Sequence, residues 1–382
     1  MIAEAFSEGL GQVALSQYLR EVRWSELPGW PDDAPAEAFE AFRRSAFHVL
    51  GKPYRSGALG VDFSAFSEAY EGARAAGSGT AAQPDARRFF ERHFVPCKVV
   101  PDNGGKKGFV TGFYEPEAEA SPVQTGRFQY PLLRRPSDLV DIDDTNRPAG
   151  MDPYLAFGRQ TAGGIVEYFD RASIEQGALA GRNLEIAWLA DPVDAFFIHV
   201  QGAARLAMSD GTSKRVTYAA KSGHRFSGPG RKLADLGEIP ENAVTMQSIR
   251  TWFRDNPARI SEILWQNRSF IFFRETPVED TGLGPVAAAK VPLTPGRSIA
   301  VDRLLHTFGT PFFIDAPTLT AFDEKPFRRL MIAQDTGSAI TGTARGDLFT
   351  GSGFAAGEVA GVIKHAADFY ELVPKKLVAG SR

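Results

Sequence analysis

The chain reads as a mainly β protein with a helical N-terminal stretch, an α+β arrangement, on three observations. Apolar residues at helical spacing are concentrated before about residue 95. After Cys97 the apolar runs shorten to strand length and are broken by turn-forming residues. The 38 glycines, 25 prolines and 29 phenylalanines favour strands joined by turns over a helical bundle. At 382 residues the chain exceeds the usual size of one domain, so two domains are expected.

Taken in order, Asp32, Asp33 and Pro35 predict a helix start, with Phe39, Phe42, Ala46 and Val49 at helical spacing behind it. Further helices are predicted over 63–76 and 85–93, with 77–84 as a loop. Strands are predicted at 98–100, 108–115, 184–189, 195–200, 213–219 and 269–274. Helices are expected at 244–255 and 257–265, the second opening on Pro257. A loop-like link at 275–285 precedes strands at 290–293, 298–301, 311–315 and 328–333.

Composition excludes several classes. The 43 basic and 46 acidic residues give a net charge of −3, which supplies no electrostatic grip on nucleic acid. One cysteine, Cys97, cannot form an internal disulfide, and six scattered histidines lack zinc-site spacing. No metal or organic cofactor is expected. No apolar run reaches the roughly 18 residues of a membrane span. Residues 1–8 show no basic segment followed by an apolar core. A cytoplasmic protein and one whose export signal lies outside this sequence both stay open on that ground.

The chemistry concentrates near the C-terminus. Asp335 and Asp347 lie among glycines and small hydroxyl residues, and Asp302 lies upstream in a short apolar run. Asp347, between Gly346 and Leu348-Phe349, fits an acid at a cleft wall, where burial and neighbouring carboxylates raise a carboxyl pKa. The plainer alternative is a turn aspartate capping backbone amides. Asp335-Thr336-Gly337 spells the aspartic-protease tripeptide, but such proteases pair two aspartates and this chain has one such motif. The glycines at 351, 353 and 357 lack a nucleotide-loop context and read as tight turns that let a sugar ring approach backbone amides. Gln201, expected at a strand end, with Tyr218 and Lys221, offers amide, aromatic and cationic contacts of the kind a glycan needs.

Several longer segments resemble the lytic murein transglycosylase A (MltA) family. They are Thr111 to Pro116, Tyr130 to Leu132, Phe196 to Gly202, Met246 to Arg250, Gln266-Asn267 with Phe270 to Phe273, and Val291 to Asp302. The 335–353 stretch is similar to the family's C-terminal signature, called 3D for three aspartates, here Asp302, Asp335 and Asp347. The resemblance runs from about residue 95 to Pro374.

It implies N-terminal helices and the first part of a double-psi β-barrel over 1–118, an inserted mainly β substrate-binding domain over 119–284, and the rest of the barrel over 285–382. A groove for one glycan strand would lie between the domains. The implied activity is cleavage of the β-1,4 bond between N-acetylmuramic acid and N-acetylglucosamine in peptidoglycan, forming a 1,6-anhydro ring. Asp347 would be the single acid and base, Asp335 and Asp302 its supports, and Thr111, Tyr114, Gln201, Tyr218 and Lys221 groove contacts. A glycoside hydrolase, or a non-catalytic glycan binder of the same barrel fold, is the alternative. The partners implied are peptidoglycan glycan strands and cell-wall enzyme complexes, for a monomer in the periplasm associated with the outer membrane. Departures occur at Gln201-Gly-Ala-Ala204, where the family has Gln-Gly-Ser-Gly, and at Lys221-Ser-Gly223 and Phe226 to Gly230. Substrate contacts there should differ. The family's lipid-modified cysteine has no counterpart in this sequence.

Overall fold

A computed structural model describes residues 16–76, 85–102, 104–105, 107–277 and 280–378. The loop expected over 77–84 lies outside them. The chain forms two compact units. The first gathers residues from 1–111, 288–348 and 364–382; the second gathers 112–287 and 349–363. These borders stand beside sequence-based ones at 118 and 284, and the 349–363 segment goes with the second unit.

In the first unit, strands Gly108–Glu115, Ser298–Val301, Pro311–Ala316, Phe327–Asp335, Arg345–Ser352 and Lys364–Pro374 join in a closed ring. Two of them, Gly108–Glu115 and Arg345–Ser352, run on into the second unit. Strands Phe94–Val99 and Leu19–Glu21 extend the sheet beyond Lys364–Pro374. Ser298–Val301 and Phe327–Asp335 pair in parallel, while Ser298–Val301 and Arg345–Ser352 are antiparallel. Such a ring needs near-continuous apolar strands, and Ile299, Val301, Phe312, Ile314, Leu330, Ile332, Leu348 and Leu372 are all buried.

Helices Ala36–His48, Ser67–Ala75 and Ala86–His93 form where helical periodicity predicted them. Their phenylalanine stripes pack together: the rings of Phe42, Tyr70, Phe89, Phe90 and Phe94 lie 5–6 Å apart in edge and stacked pairs. Asp33, read as a helix-start residue, does not cap the Ala36–His48 helix. It is buried against Arg297, 2.9 Å away, and accepts the Leu330 N–H. The Gln334 side chain in turn donates to Ala41 O and Ser45 Oγ, fixing the first helix on the barrel.

One expected strand of this unit is absent. Residues 290–293 bend and make one isolated bridge at Pro292 instead of a strand: Lys290 takes a left-handed φ of 62°, and Pro292 has no N–H to extend a ladder.

The second unit holds a six-stranded sheet in the order Ile271–Thr276, Ser213–Lys221, Ala203–Met208, Glu117–Ser121, Glu185–Leu189 and Tyr130–Leu133. A three-stranded sheet, Leu139–Asp141, Phe157–Thr161 and Gly164–Val166, lies within the same unit. The expected strand at 195–200 is instead part of the helix Pro192–Gln201. Asp191 accepts the Val193 N–H, Pro192 takes the first turn, and Gly202 stops the helix at φ 75°. Its run Ala195 to Val200, apolar except for His199, suits a buried strand and a buried helix equally; only the flanking Asp-Pro and Gly distinguish them. Phe196 and Phe197 pack with Leu233, Trp252 and Phe253 from the neighbouring helices.

The 353–357 glycine stretch also differs from expectation. Gly351 and Gly353 have positive φ, as tight turns require, but Gly353–Val362 is a helix. A Cβ on Gly357 would lie 2.8 Å from the Tyr114 ring, so that glycine serves helix packing.

Candidate active site

Strand register places the two central aspartates. Ala300 faces Asp347 on one side and Asp335 on the other. The pairing with Asp335 falls at a β-bulge, where the Phe327–Asp335 strand carries one extra residue, and the charge of Asp347 is felt at Asp335. Their backbones are two strand spacings apart, about 10 Å.

Asp347 lies within a strand, not at a turn, so the capping alternative does not hold. Its surroundings also differ from an apolar cleft wall. Arg345 Nη1 sits 2.6 Å from Asp347 Oδ1, and the Thr111 hydroxyl donates to that same oxygen. Arg345 closes the triangle by donating to Thr111 Oγ1 at 2.8 Å and to Gly346 O at 2.5 Å. Both Arg345 and Asp347 retain about a fifth of their side-chain exposure, so the cluster is reachable from solvent.

Desolvation falls on Asp335 instead. Burial pushes its carboxyl up to about 6, opposed by the amides of Thr336 and Ala288 and by Lys290, and reinforced by the charge of Asp347. The Ala288 N–H reaches Asp335 Oδ1 at 3.2 Å. Asp302 is spent on backbone: its two oxygens accept the N–H groups of Leu304 and Gly342, each at 3.0 Å. It thereby ties the 336–344 loop to the end of the Ser298–Val301 strand. Behind that loop, buried His306 bridges Glu371 Oε2 at 3.1 Å and Thr343 O at 2.9 Å. The ring's pKa is raised, against burial, chiefly by Glu371, with the Thr343 carbonyl adding to it.

The remaining predicted residues lie in the second unit. Tyr114 is only 7% exposed, and its ring packs on Ala356, Ala360 and Met246. A stacking platform needs an open face, so the structure gives Tyr114 a packing role. Its N–H donates to Gln201 Oε1 at 3.1 Å, which orients that amide. Gln201 sits at the end of a helix rather than of a strand. Tyr218 is 43% exposed on the Ser213–Lys221 strand and keeps a usable ring face. Lys221 points to Tyr154, 3.4 Å from its hydroxyl and 5.0 Å from its ring, and Arg225 covers the same ring at 4.0 Å. Glu115, fully buried, is held by Arg215 at 2.7 Å, Arg205 at 3.0 Å and the Ser352 hydroxyl at 2.6 Å. That cluster leaves the glutamate no free oxygen and reads as structural.

Sequence reasoning missed Arg345. The signal was present: residues 345 and 347 are two apart on a strand, and period two puts them on one face.

Family models match the chain in two places: the MltA specific insert domain over residues 109–274 and the 3D domain over 297–373. The membrane-bound lytic murein transglycosylase A of Escherichia coli K12 is 33% identical over 270 residues, 69% of this chain. The match spans 65% of that relative's length, just under two thirds. A crystal structure of a membrane-bound lytic murein transglycosylase from Agrobacterium tumefaciens is 51% identical, with a TM-score of 0.88 over 95% of this chain and 99% of the other. A structure of E. coli MltA with bound chitohexaose is 25% identical, with a TM-score of 0.68 over 96% and 97% of the two chains.

Proposed function

The chain belongs to the lytic murein transglycosylase A family, and on that footing we propose that it cleaves peptidoglycan glycan strands without water. The bond broken is the β-1,4 link between N-acetylmuramic acid and N-acetylglucosamine. Asp347 donates a proton to the bridging oxygen as the bond to the muramic anomeric carbon opens. The C6 hydroxyl of the same sugar then attacks that carbon and returns its proton to Asp347, closing the 1,6-anhydro ring. Hydrolytic glycosidases need a second carboxylate for water or for a covalent intermediate. An internal hydroxyl replaces both, with the rate advantage of an intramolecular nucleophile.

The observation that carries the reading is the seat of Asp347: on a rigid barrel strand, oriented by Thr111 and Arg345, and partly open to solvent. Asp335 and Asp302 support it, the first through its charge, the second through the loop backbone it holds. Gln201, Tyr218 and Lys221 supply sugar contacts, Tyr114 orients Gln201, and the departures at Ala203-Ala204 and Phe226 to Gly230 tune those contacts. We further propose that the protein works as a monomer with cell-wall enzyme complexes in the periplasm, at the outer membrane; the membrane-bound relatives support the envelope location.

Mass spectrometry of digested sacculi tests the reading. Anhydro-muramic ends are expected, and reducing ends in their place would reject it. One observation favours a hydrolase as the alternative: Asp335 and Asp347 flank the same residue, Ala300, on neighbouring strands. Reaction in heavy-oxygen water separates the two, since a transglycosylase incorporates no label.

A further inference from the structure

The arrangement around Asp347 contains a conflict, given the proposed reading on which this inference rests. The first step needs Asp347 as a neutral acid, yet a guanidinium sits 2.6 Å from its carboxylate. Arg345 and the Thr111 hydroxyl both occupy Oδ1, the oxygen they would have to share with an incoming or departing proton. Arginine keeps its own proton throughout, so a swing of its side chain away from Oδ1 is what would loosen the pairing.

Room for that movement exists beside it. Arg345 borders a cavity of about 240 Å3 whose other walls include Phe109, Thr341, Gly342, Ala344 and Asp102. The guanidinium already leans over the Phe109 ring, 5.6 Å from its centroid. Asp102 forms no ion pair with any of the described residues, although it lies on the same cavity. Its backbone is fixed: Asp102 N–H donates to Thr343 Oγ1 at 3.0 Å, and that hydroxyl donates to Val100 O at 2.7 Å. Gly342 makes the approach feasible. At φ 108° it occupies backbone space closed to other residues, and a Cβ there would stand 3.0 Å from Asp102 Oδ1.

We infer that Arg345 is a two-position positioning residue that holds Asp347 as a carboxylate and moves across the cavity to Asp102 when Asp347 carries its proton. Over one turnover Asp347 passes its proton to the bridging oxygen, and Arg345 returns to the carboxylate so formed. The C6 hydroxyl then hands its proton to Asp347 and Arg345 withdraws again. No proton is gained or lost by Arg345. The other charged groups near this pair are Asp335, which feels both Asp347 and Lys290, and Asp302, His306 and Glu371 around the 336–344 loop.

The test is a double-mutant cycle with pH profiles. In Asp102→Asn the guanidinium has no second anchor, so kcat should fall about tenfold with KM unchanged. The pH above which turnover declines should move down by about one unit. In Arg345→Ala that decline should move up, and adding Asp102→Asn to it should change nothing further. An undiminished effect of Asp102→Asn without Arg345, or no effect in the parent protein, overturns the inference. A crystal structure of Asp347→Asn, a neutral stand-in for the protonated acid, gives a readout independent of activity. Arg345 should be found on Asp102; Arg345 still at position 347, or elsewhere, overturns the inference as well. Product analysis of the parent protein judges the transglycosylase reading separately, since anhydro ends do not depend on where Arg345 rests.

Discussion

Asp347 and Asp335 are chemically the same residue in two environments, and the environments assign them different work. Asp347 is oriented by a hydroxyl and a guanidinium at a solvent-reachable edge. Replacing it with Ala should lower turnover by at least about a thousandfold while glycan binding, measured by pull-down on sacculi, persists. Asp335 is desolvated and titrates near 6, above its unfolded value near 3.8. A raised acid pKa means the folded state binds the proton more tightly, so ionising Asp335 costs stability as pH rises through 4 to 6. Asp335→Asn should therefore melt higher than the parent at pH 7.5, with the gap closing at pH 4. Thermal melts at the two pH values check this; an equal gap at both would assign the effect to packing. His306 has a raised pKa too, but here the charged form is the one held. Its pairing with Glu371 and Thr343 O supports the loop fully at acidic pH and weakens as pH climbs past that value.

At the level of elements, capping and turn chemistry decided outcomes that hydrophobicity left ambiguous. The helix Pro192–Gln201 is started by the Asp191 carboxylate, 2.6 Å from the Val193 N–H. Asp191→Ala should cost about 1 kcal/mol of stability, visible as a lowered denaturant midpoint with an unchanged slope. Because Gln201 closes that helix, the same change should weaken glycan binding more than turnover of bound substrate. The three N-terminal helices were legible because Phe39, Phe42 and Ala46, then Ala69 and Ala73, then Ala86, Phe89 and Phe90 recur at helical steps on buried faces. The 195–200 segment was not, because a helix buried over most of its surface shows no contrast between faces. Residues 290–293 failed as a strand for a different reason: a left-handed lysine is a backbone choice invisible to side-chain patterning.

Across the whole chain, the long-range ion pair between Asp33 and Arg297 fastens the N-terminal helices to the barrel. Both partners are almost fully buried, so losing one strands the other. Asp33→Ala should destabilise the first unit by about 3–5 kcal/mol; a double replacement of Asp33 and Arg297 by apolar residues should recover much of that loss. Denaturant unfolding of the parent, single and double variants measures both. The sequence by itself determined the mainly β class, the helical start, the family and the identity of the three aspartates, because those depend on residue types and short-range spacing. Only the tertiary structure decided which aspartate is desolvated, that Asp302 holds a loop, and that Thr111 and Arg345 meet at Asp347. Those facts come from strands distant in sequence being paired in one particular register. A contact of under 3 Å between residues more than two hundred positions apart leaves no periodic trace along the chain.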